Sequence, residues 1–256
     1  MSTLENASAV LKLFTADGTG LYPLGLSFSD VASHLQLPKS TVSRLLIAME
    51  SQGLLSRNPN NRLYTIGDLL LAVGSNYLSR PLAEIAASGL FPLASQYQCT
   101  AYLSRLENDR VYVIDFFHGH PSMPLPFSRG ESLPAMQTAA GRALLSAFTE
   151  SEVMARLISR DACRGVFDKP GAARLWQRLS LVRRQGWSFS RNEAREGVSA
   201  LATMLSHSAR RENIALSLTY NSAGENDTFP EEMLASLKSV TRQLADKIGD
   251  DSWRRR

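Results

Sequence analysis

The chain has 256 residues, 44% of them apolar and 20% charged, with a formal net charge of +4, 16 glycines and 11 prolines. That is enough chain for two domains with separate cores, and its ordinary glycine, proline and charge content excludes collagen-like, low-complexity and largely disordered proteins. No unbroken apolar run exceeds five residues, the length of Leu69–Val73, against about 20 for a membrane-spanning helix, and two cysteines, Cys99 and Cys163, support neither a disulfide framework nor a zinc site.

Ala7, Val10, Leu11 and Phe14 recur at helical spacing and give a first helix that ends by Gly18 and Gly20. After a loop from Gly20 to Leu26, Ser27 with Asp30 three residues on has the form of a capping box, and Val31, Ala32 and Leu35 give the short helix behind it an apolar side. Pro38 fits the first position of a third helix, where its missing N–H costs nothing; Val42, Leu45, Leu46 and Met49 carry that helix to Gly53. Two helices across so short a turn describe a helix-turn-helix.

Ser40, Arg44, Ile47 and Ser51 fall opposite the apolar stripe of the third helix, with Ser43 on their flank. In a major groove Ile47 meets a thymine methyl and Arg44 reaches guanine, while Lys39, Ser40, Thr41 and Ser43 contact base edges or phosphates. The same pattern also fits an amphipathic helix with a solvated outer face. Residues 1 to 80 carry six cations and five anions, but between Pro38 and Arg62 four cations face Glu50 alone, so a nucleic-acid surface belongs there. Leu54–Leu55, a turn at Asn58–Asn61 and then Leu63–Ile66 predict a two-stranded hairpin, a wing, whose flanking Arg57 and Arg62 are either phosphate contacts or solvated charges.

At this point the chain resembles the IclR (isocitrate lyase regulator) family of bacterial transcription factors. The likeness runs through Leu37-Pro38-Lys39-Ser40-Thr41-Val42-Ser43-Arg44-Leu45-Leu46, Met49-Glu50, Gly53-Leu54-Leu55 and Arg62-Leu63-Tyr64-Thr65-Ile66-Gly67. It continues through Leu133-Pro134, Thr138-Ala139-Ala140-Gly141-Arg142-Ala143-Leu144-Leu145, Gly186-Trp187-Ser188-Phe189, Glu193 and Gly197-Val198. Nearly the whole chain is covered.

Asp68 can cap a helix carrying Leu69, Leu70, Leu71, Val73, Tyr77 and Leu78 until Pro81 interrupts it. Its apolar side chains need cover, from a second copy of the chain or from the chain's own domains. The resemblance implies dimers, sometimes paired into tetramers. From Leu82 onward strands mix with helices: Ala101–Arg105 and Arg110–Phe117 as a hairpin across Asn108-Asp109, helices over 138–148, 152–159 and 172–185, strands over 187–190, 198–205 and 214–220, and a last helix from Pro230. An antiparallel sheet packed on helices is the economical fold for this order; the resemblance implies a GAF-like domain with a small-molecule cavity on one face of the sheet.

A helix entered through Gln137, Thr138 and Ala139 offers backbone amides and a partial positive charge beside small side chains, where a carboxylate fits. The resemblance implies effector contacts from Leu125 and Leu133 as an apolar wall, Ala139 and Ala140 at the helix start, and Ser190, Ala200, Ser217 and Thr219 on strands. The sequence departs from the family pattern in three ways: an acidic residue usual near Ser190 is absent, Asn192 stands where a glutamate is common, and Ala200 replaces a more polar side chain. Ser217 and Thr219 are also ordinary sheet residues. His118 and His120 form a possible metal pair with no third ligand at sensible spacing; solvated histidines are the simpler reading. Cys163 beside Arg164 has no local histidine, and no P-loop, nucleophile elbow or dinucleotide fingerprint is present. The arginines at 156, 160, 164, 174, 178, 183 and 184 are expected on solvated helix faces paired with local carboxylates, and Arg254–Arg256 as a frayed basic tail.

The expectation is therefore an α+β chain with three parts: a winged helix-turn-helix over residues 1–67, a linker helix over 68–81, and a GAF-like effector-binding domain over 82–256. It is expected to be a cytoplasmic, ligand-responsive regulator of operator DNA, repressing or activating, working as a homodimer or homotetramer without catalytic residues, cofactor, metal or membrane. The first fifteen residues, with Glu5 and one cation, Lys12, lack the layout of a secretory signal. Two rivals are a small-molecule enzyme whose first eighty residues are an interaction module, and a ligand-blind architectural DNA-binding protein.

Overall fold

The structure is a computed structural model that describes residues 2–14, 25–78, 81–119, 126–158, 169–207, 212–221 and 230–253. The chain divides into two compact units at Arg80/Pro81.

In the first unit, helix α1 (Thr3–Lys12) opens on a capping box in which Ser2 and Glu5 satisfy each other's backbone N–H groups. Helix α2 (Phe28–Leu35) repeats the device. The Asp30 N–H donates to Ser27 Oγ at 3.2 Å and the Ser27 N–H to the Asp30 carboxylate at 2.8 Å; the Ser27 side chain first and its N–H second hold that carboxyl below its ordinary pKa. Gln36, at φ 51°, turns the chain into Leu37, Pro38 and helix α3 (Lys39–Ser51). Pro38 stands one position earlier than expected: it is the cap residue, in extended conformation (ψ 137°), and its carbonyl accepts the Thr41 and Val42 N–H groups. A residue with ψ near 140° cannot be the first helical one.

Val10, Val31, Val42, Leu45, Leu46 and Met49 bring the three helices onto one core with Leu26, Leu55 and Tyr64. Leu46 is fully buried; truncating it to alanine costs about 2–5 kcal/mol. Strands β1 (Leu55–Arg57) and β2 (Tyr64–Ile66) pair antiparallel, with Arg57 opposite Tyr64. Leu26 pairs with the other edge of Tyr64 through two bonds of 2.8 and 2.9 Å, which ties the wing to the residue just ahead of α2. Helix α4 (Asp68–Leu78) closes the unit.

The second unit begins with helix α5 (Pro81–Tyr97), so Pro81 starts a helix and does not merely end the one before it. A proline at a first turn loses nothing there. The strands β3 (Thr100–Glu107), β4 (Arg110–His118), β5 (Ser132–Pro134), β6 (Trp187–Arg191), β7 (Val198–His207) and β8 (Glu212–Asn221) form one antiparallel sheet in the order β5-β4-β3-β8-β7-β6. Successive side chains on a strand point to opposite faces, and each face has its own cover. Ala101, Leu103, Leu201, Leu216 and Leu218 pack on α5 and on helix α9 (Glu231–Ile248). Ala202, Met204 and Ala215 pack on helices α6 (Ala139–Leu145), α7 (Glu150–Ile158) and α8 (Lys169–Gln185).

Two glycines permit close approach. A Cβ on Gly89 would stand 2.5 Å from Val240 Cγ1, so the glycine lets α5 lie tight against α9; one on Gly141 would stand 2.0 Å from the Ala135 carbonyl oxygen, so α6 can fold back onto the 3-10 turn Ala135–Gln137. No helix among the described residues is long and apolar enough to cross a membrane.

Candidate nucleic-acid interface and ligand cavity

Burying Val42, Leu45, Leu46 and Met49 forces the opposite side of α3 outward. Lys39, Ser40, Thr41, Arg44 and Ser51 are exposed and Ser43 half-buried, and Ile47 is 60% exposed among them. The apolar contacts inside the unit leave this side chain out. In the wing, Asn58 accepts the Asn60 N–H at 2.9 Å and Asn61 accepts that of Leu63 at 3.0 Å, an Asx-type tip that places Arg62 at φ 58°. Arg57 and Arg62 are both exposed. The Arg57 guanidinium lies 5.2 Å over the Tyr64 ring and donates to the Arg62 carbonyl at 3.4 Å, so it is held along the wing. The structure thus gathers the outward residues of α3 and the two wing arginines within the first unit.

The second unit contains a cavity on the α6 side of the sheet, with about 470 Å³ of empty space counting its open mouth. Strand register builds its floor: Ser190 lies opposite Ala200, Ala200 opposite Thr219, and Ser217 opposite Tyr102. Leu133, Ala139, Ala140, Ser190, Ala200, Ser217 and Thr219 all line it; Leu125 lies outside the described residues. Thr138, named at the helix start by the sequence, lines it as well, and so do Tyr102, Ser104, Val111, Val113, Phe127, Ala194 and Val198, which the sequence did not single out as effector contacts. For Tyr102 and Ser104 a signal existed. They alternate along the strand of the predicted Asn108-Asp109 hairpin, and pairing brings Ser104 against Val113.

None of the described lining residues is charged. Hydroxyls of Ser104, Ser190, Ser217 and Thr219 lie on the sheet side and apolar groups of Val111, Val113, Phe127, Leu133 and Val198 complete the wall. Thr138 caps α6, accepting the Gly141 N–H at 2.9 Å through Oγ1 and that of Arg142 at 3.1 Å through its carbonyl, so the two N–H groups ahead of them in α6 belong to Ala139 and Ala140. Charge surrounds the cavity without entering it. Arg195 pairs with Glu131 at 3.4 Å and lies 4.9 Å over the Phe127 ring. Arg142, 2% exposed, pairs with Glu193 at 2.8 Å; burial lowers its pKa and the carboxylate works against that shift.

The other candidates separate. The His118 Nδ1 and Thr100 Oγ1 are 3.0 Å apart at the end of β4, and His120, Cys163, Arg160 and Arg164 lie outside the described residues. No group of three or more potential metal ligands is present among the described residues. The arginines expected on solvated faces with local carboxylates divide: Arg156 lies within electrostatic reach of Glu152 on its own helix and Arg178 is exposed, whereas Arg183 is turned onto backbone carbonyls. Arg183 caps the chain after α6, donating to the carbonyls of Ser146 at 3.0 Å and Phe148 at 2.7 Å, while Arg156 lies 4.0 Å over the Phe148 ring and Arg178 pairs with the distant Glu193 at 3.0 Å. Carbonyls past a short helix need donors, and long guanidinium side chains supply them.

A winged helix-turn-helix joined in one chain to an α+β unit with its own internal cavity has the build of a DNA-binding transcriptional regulator. Family profiles match two stretches of the chain: the IclR helix-turn-helix domain over residues 3–59, and the bacterial transcriptional regulator IclR C-terminal over residues 76–249. The chain belongs to the IclR family, whose members are transcriptional regulators and not enzymes. Among similar proteins, the glycerol operon regulatory protein of Streptomyces griseus is 31% identical over 217 residues, 82% of this chain and 81% of the relative. The HTH-type transcriptional regulator TtgV of Pseudomonas putida is 26% identical over 226 residues, 88% of this chain and 86% of the relative. In fold, the chain is similar to an IclR homolog from Microbacterium hydrocarbonoxydans complexed with 4-hydroxybenzoate, with TM-score 0.77, 18% identity and 100% of both chains covered.

Proposed function

We propose that the chain is a cytoplasmic, ligand-responsive regulator that binds operator DNA as a dimer or tetramer and senses a small polar or carboxylated metabolite of a catabolic pathway. In this reading residues 1–67 are the reading head, 68–81 the linker and 82–256 the sensor. Arg44 reads guanine and Ile47 a thymine methyl. Lys39, Ser40, Thr41 and Ser43 reach base edges or phosphates, and Arg57 and Arg62 contact phosphates beside the groove.

The observation that carries the reading is the uncharged cavity, where hydroxyls of Ser190, Ser217 and Thr219 face apolar side chains. Such a mixture suits a small molecule with one polar end. Leu133, Ala139, Ala140, Ala200 and Leu125 complete the proposed effector contacts, and a carboxylate has the Ala139 and Ala140 amides at hand. The 4-hydroxybenzoate bound by the Microbacterium relative makes aromatic acids the first ligands to try. The effector acts by binding one arrangement of the paired subunits better than another, since equal affinity for both shifts nothing, and the linker helix is the lever.

The test is a mobility-shift titration of the full chain against promoter fragments from its own genome and random duplex, at physiological ionic strength, with and without a panel of catabolic acids that includes 4-hydroxybenzoate. Preference for one fragment, altered by one of the acids, is the expected result. Salt-dependent binding with no preference would instead make the protein architectural, and absence of any binding would remove the reading.

A further inference from the structure

The cavity depends on segments that no strand ladder joins: the turn Ala135–Gln137 with α6 on one side, the end of β6 and the loop 192–197 on the other. The loop closes on itself, with the Asn192 N–H donating to the Val198 carbonyl at 2.9 Å and the Gly197 N–H to the Asn192 side chain at 2.8 Å. Those bonds give it a shape. They do not fix where it stands against α6.

Arg178 from α8 pairs with Glu193 at 3.0 Å and Arg195 with Glu131 at 3.4 Å, both from the exposed side; from α6 itself, Arg142 bridges the gap. The Arg142 guanidinium donates to the Met136 carbonyl at 2.7 Å, to the Phe189 carbonyl, and to both oxygens of Glu193 at 2.8 and 3.0 Å. Every one of these partners adjoins the cavity wall: Met136 lies two residues before Thr138, Phe189 precedes Ser190, and Glu193 precedes Ala194, while Arg142 follows Ala139 and Ala140 in the same helix. Neither Arg142 nor Glu193 lines the cavity.

Stability alone is a poor reason for this arrangement. A buried ion pair recovers little beyond its desolvation cost, and matched apolar side chains often do as well. What apolar groups cannot reproduce is the geometry. A planar fork with five donors reaches two carbonyls and a bidentate carboxylate at once, whereas a lysine ammonium is a point charge without that fork.

We propose that Arg142 and Glu193 are positioning residues of the ligand cavity. Without touching the ligand, the pair sets where Ala139 and Ala140 stand relative to Ser190 and Ala194, and thereby what the cavity accepts. The inference rests on the cavity being the effector site.

Hydrogen–deuterium exchange of the full-length, ligand-free protein tests it, using Arg142→Lys, Glu193→Gln and the double variant Arg142→Met/Glu193→Leu. The double variant leaves no unpaired buried charge, so it carries the test if a single variant fails to fold. The expected result is exchange faster by about tenfold in peptides covering 136–142 and 188–195, with β3, β8 and α9 within about twofold of the parent; the double variant keeps the parent's urea midpoint, whereas Glu193→Gln, which leaves the buried Arg142 charge uncompensated, lowers it. Unchanged exchange in those two peptides would overturn the proposal. So would uniform acceleration with a lowered midpoint in the double variant, the signature of a merely structural pair. No ligand enters the experiment, so its failure is separate from that of the effector reading, which the promoter titration above decides.

Discussion

Tyr102 and Phe127 hold each other by two reciprocal hydrogen bonds: the phenol donates to the Phe127 carbonyl and accepts the Phe127 N–H, both at 3.1 Å, with the rings edge-on at 5.9 Å. A strand residue thereby fixes a loop residue as one wall of the cavity. Burial raises the phenol's pKa well above its usual range, so the hydroxyl stays a donor throughout the range in which the protein is handled. Tyr102→Phe leaves a buried N–H and a buried carbonyl without their partner and is expected to cost about 1–3 kcal/mol, seen as a lower urea midpoint. A midpoint equal to the parent's would show that the loop is held by other contacts.

The proposed reading head separates two kinds of arginine. Arg44→Ala is expected to weaken binding to the preferred promoter fragment by about 1–3 kcal/mol and to relax base preference, because it removes a base contact. Arg62→Ala is expected to weaken all duplexes alike and to flatten the salt dependence. Mobility-shift titrations at two salt concentrations decide both. Specific binding left intact by Arg44→Ala would mean that α3 meets DNA through another face.

Bulk at the start of α6 fills the cavity. Ala139 is 1% exposed and lines it, so Ala139→Trp is expected to abolish the effector response while operator binding, which belongs to the other unit, persists. Retained induction by an effector active on the parent protein would remove the cavity assignment.

Helix α4 leaves Leu69, Leu71 and Val73 exposed at 47, 67 and 58%. If a second copy covers them, Leu71→Glu desolvates a charge at the contact and is expected to shift the dimer toward monomer by about tenfold or more in dissociation constant, read by light scattering across a dilution series. An unchanged mass at every concentration would place the subunit contact elsewhere.

Burial pushes the Cys99 thiol up to about 11. The unfolded chain ionises at the ordinary value while the native one stays protonated, so the stability this thiol contributes is complete below pH 9.0 and is lost as the pH climbs through about 11. The gap in urea midpoint between Cys99→Ala and its parent, both in a Cys163→Ser background, should therefore narrow over that window. A constant gap would show that the thiol ionises alike in both states.

Much of this was legible beforehand because it depends on local chemistry. The stripes of α3 and α9, the Ser27/Asp30 box and the Asn108-Asp109 turn each need only a few neighbouring residues to declare themselves. Helix α5 escaped because Gly89 and Pro92 interrupt its pattern; the first serves packing against Val240 and the second is simply tolerated on the exposed side. Phe127 sits in a loop with no period to reveal it. The partnership of Arg142 with Glu193 spans 51 positions, and nothing local to either marks the other.

One sheet here serves two masters. Its α5 and α9 side is closed by interlocking apolar side chains, whereas its other side packs in part on α6, α7 and α8 and in part lines the cavity, where Ser104, Ser190, Ala200, Ser217 and Thr219 stand beside Tyr102, Val111 and Val113. Exchanging Ser for Ala or Thr on that second side alters what fits while barely disturbing the architecture. Descendants of such a scaffold can therefore drift toward new chemical signals one substitution at a time, keeping the machinery that reports them.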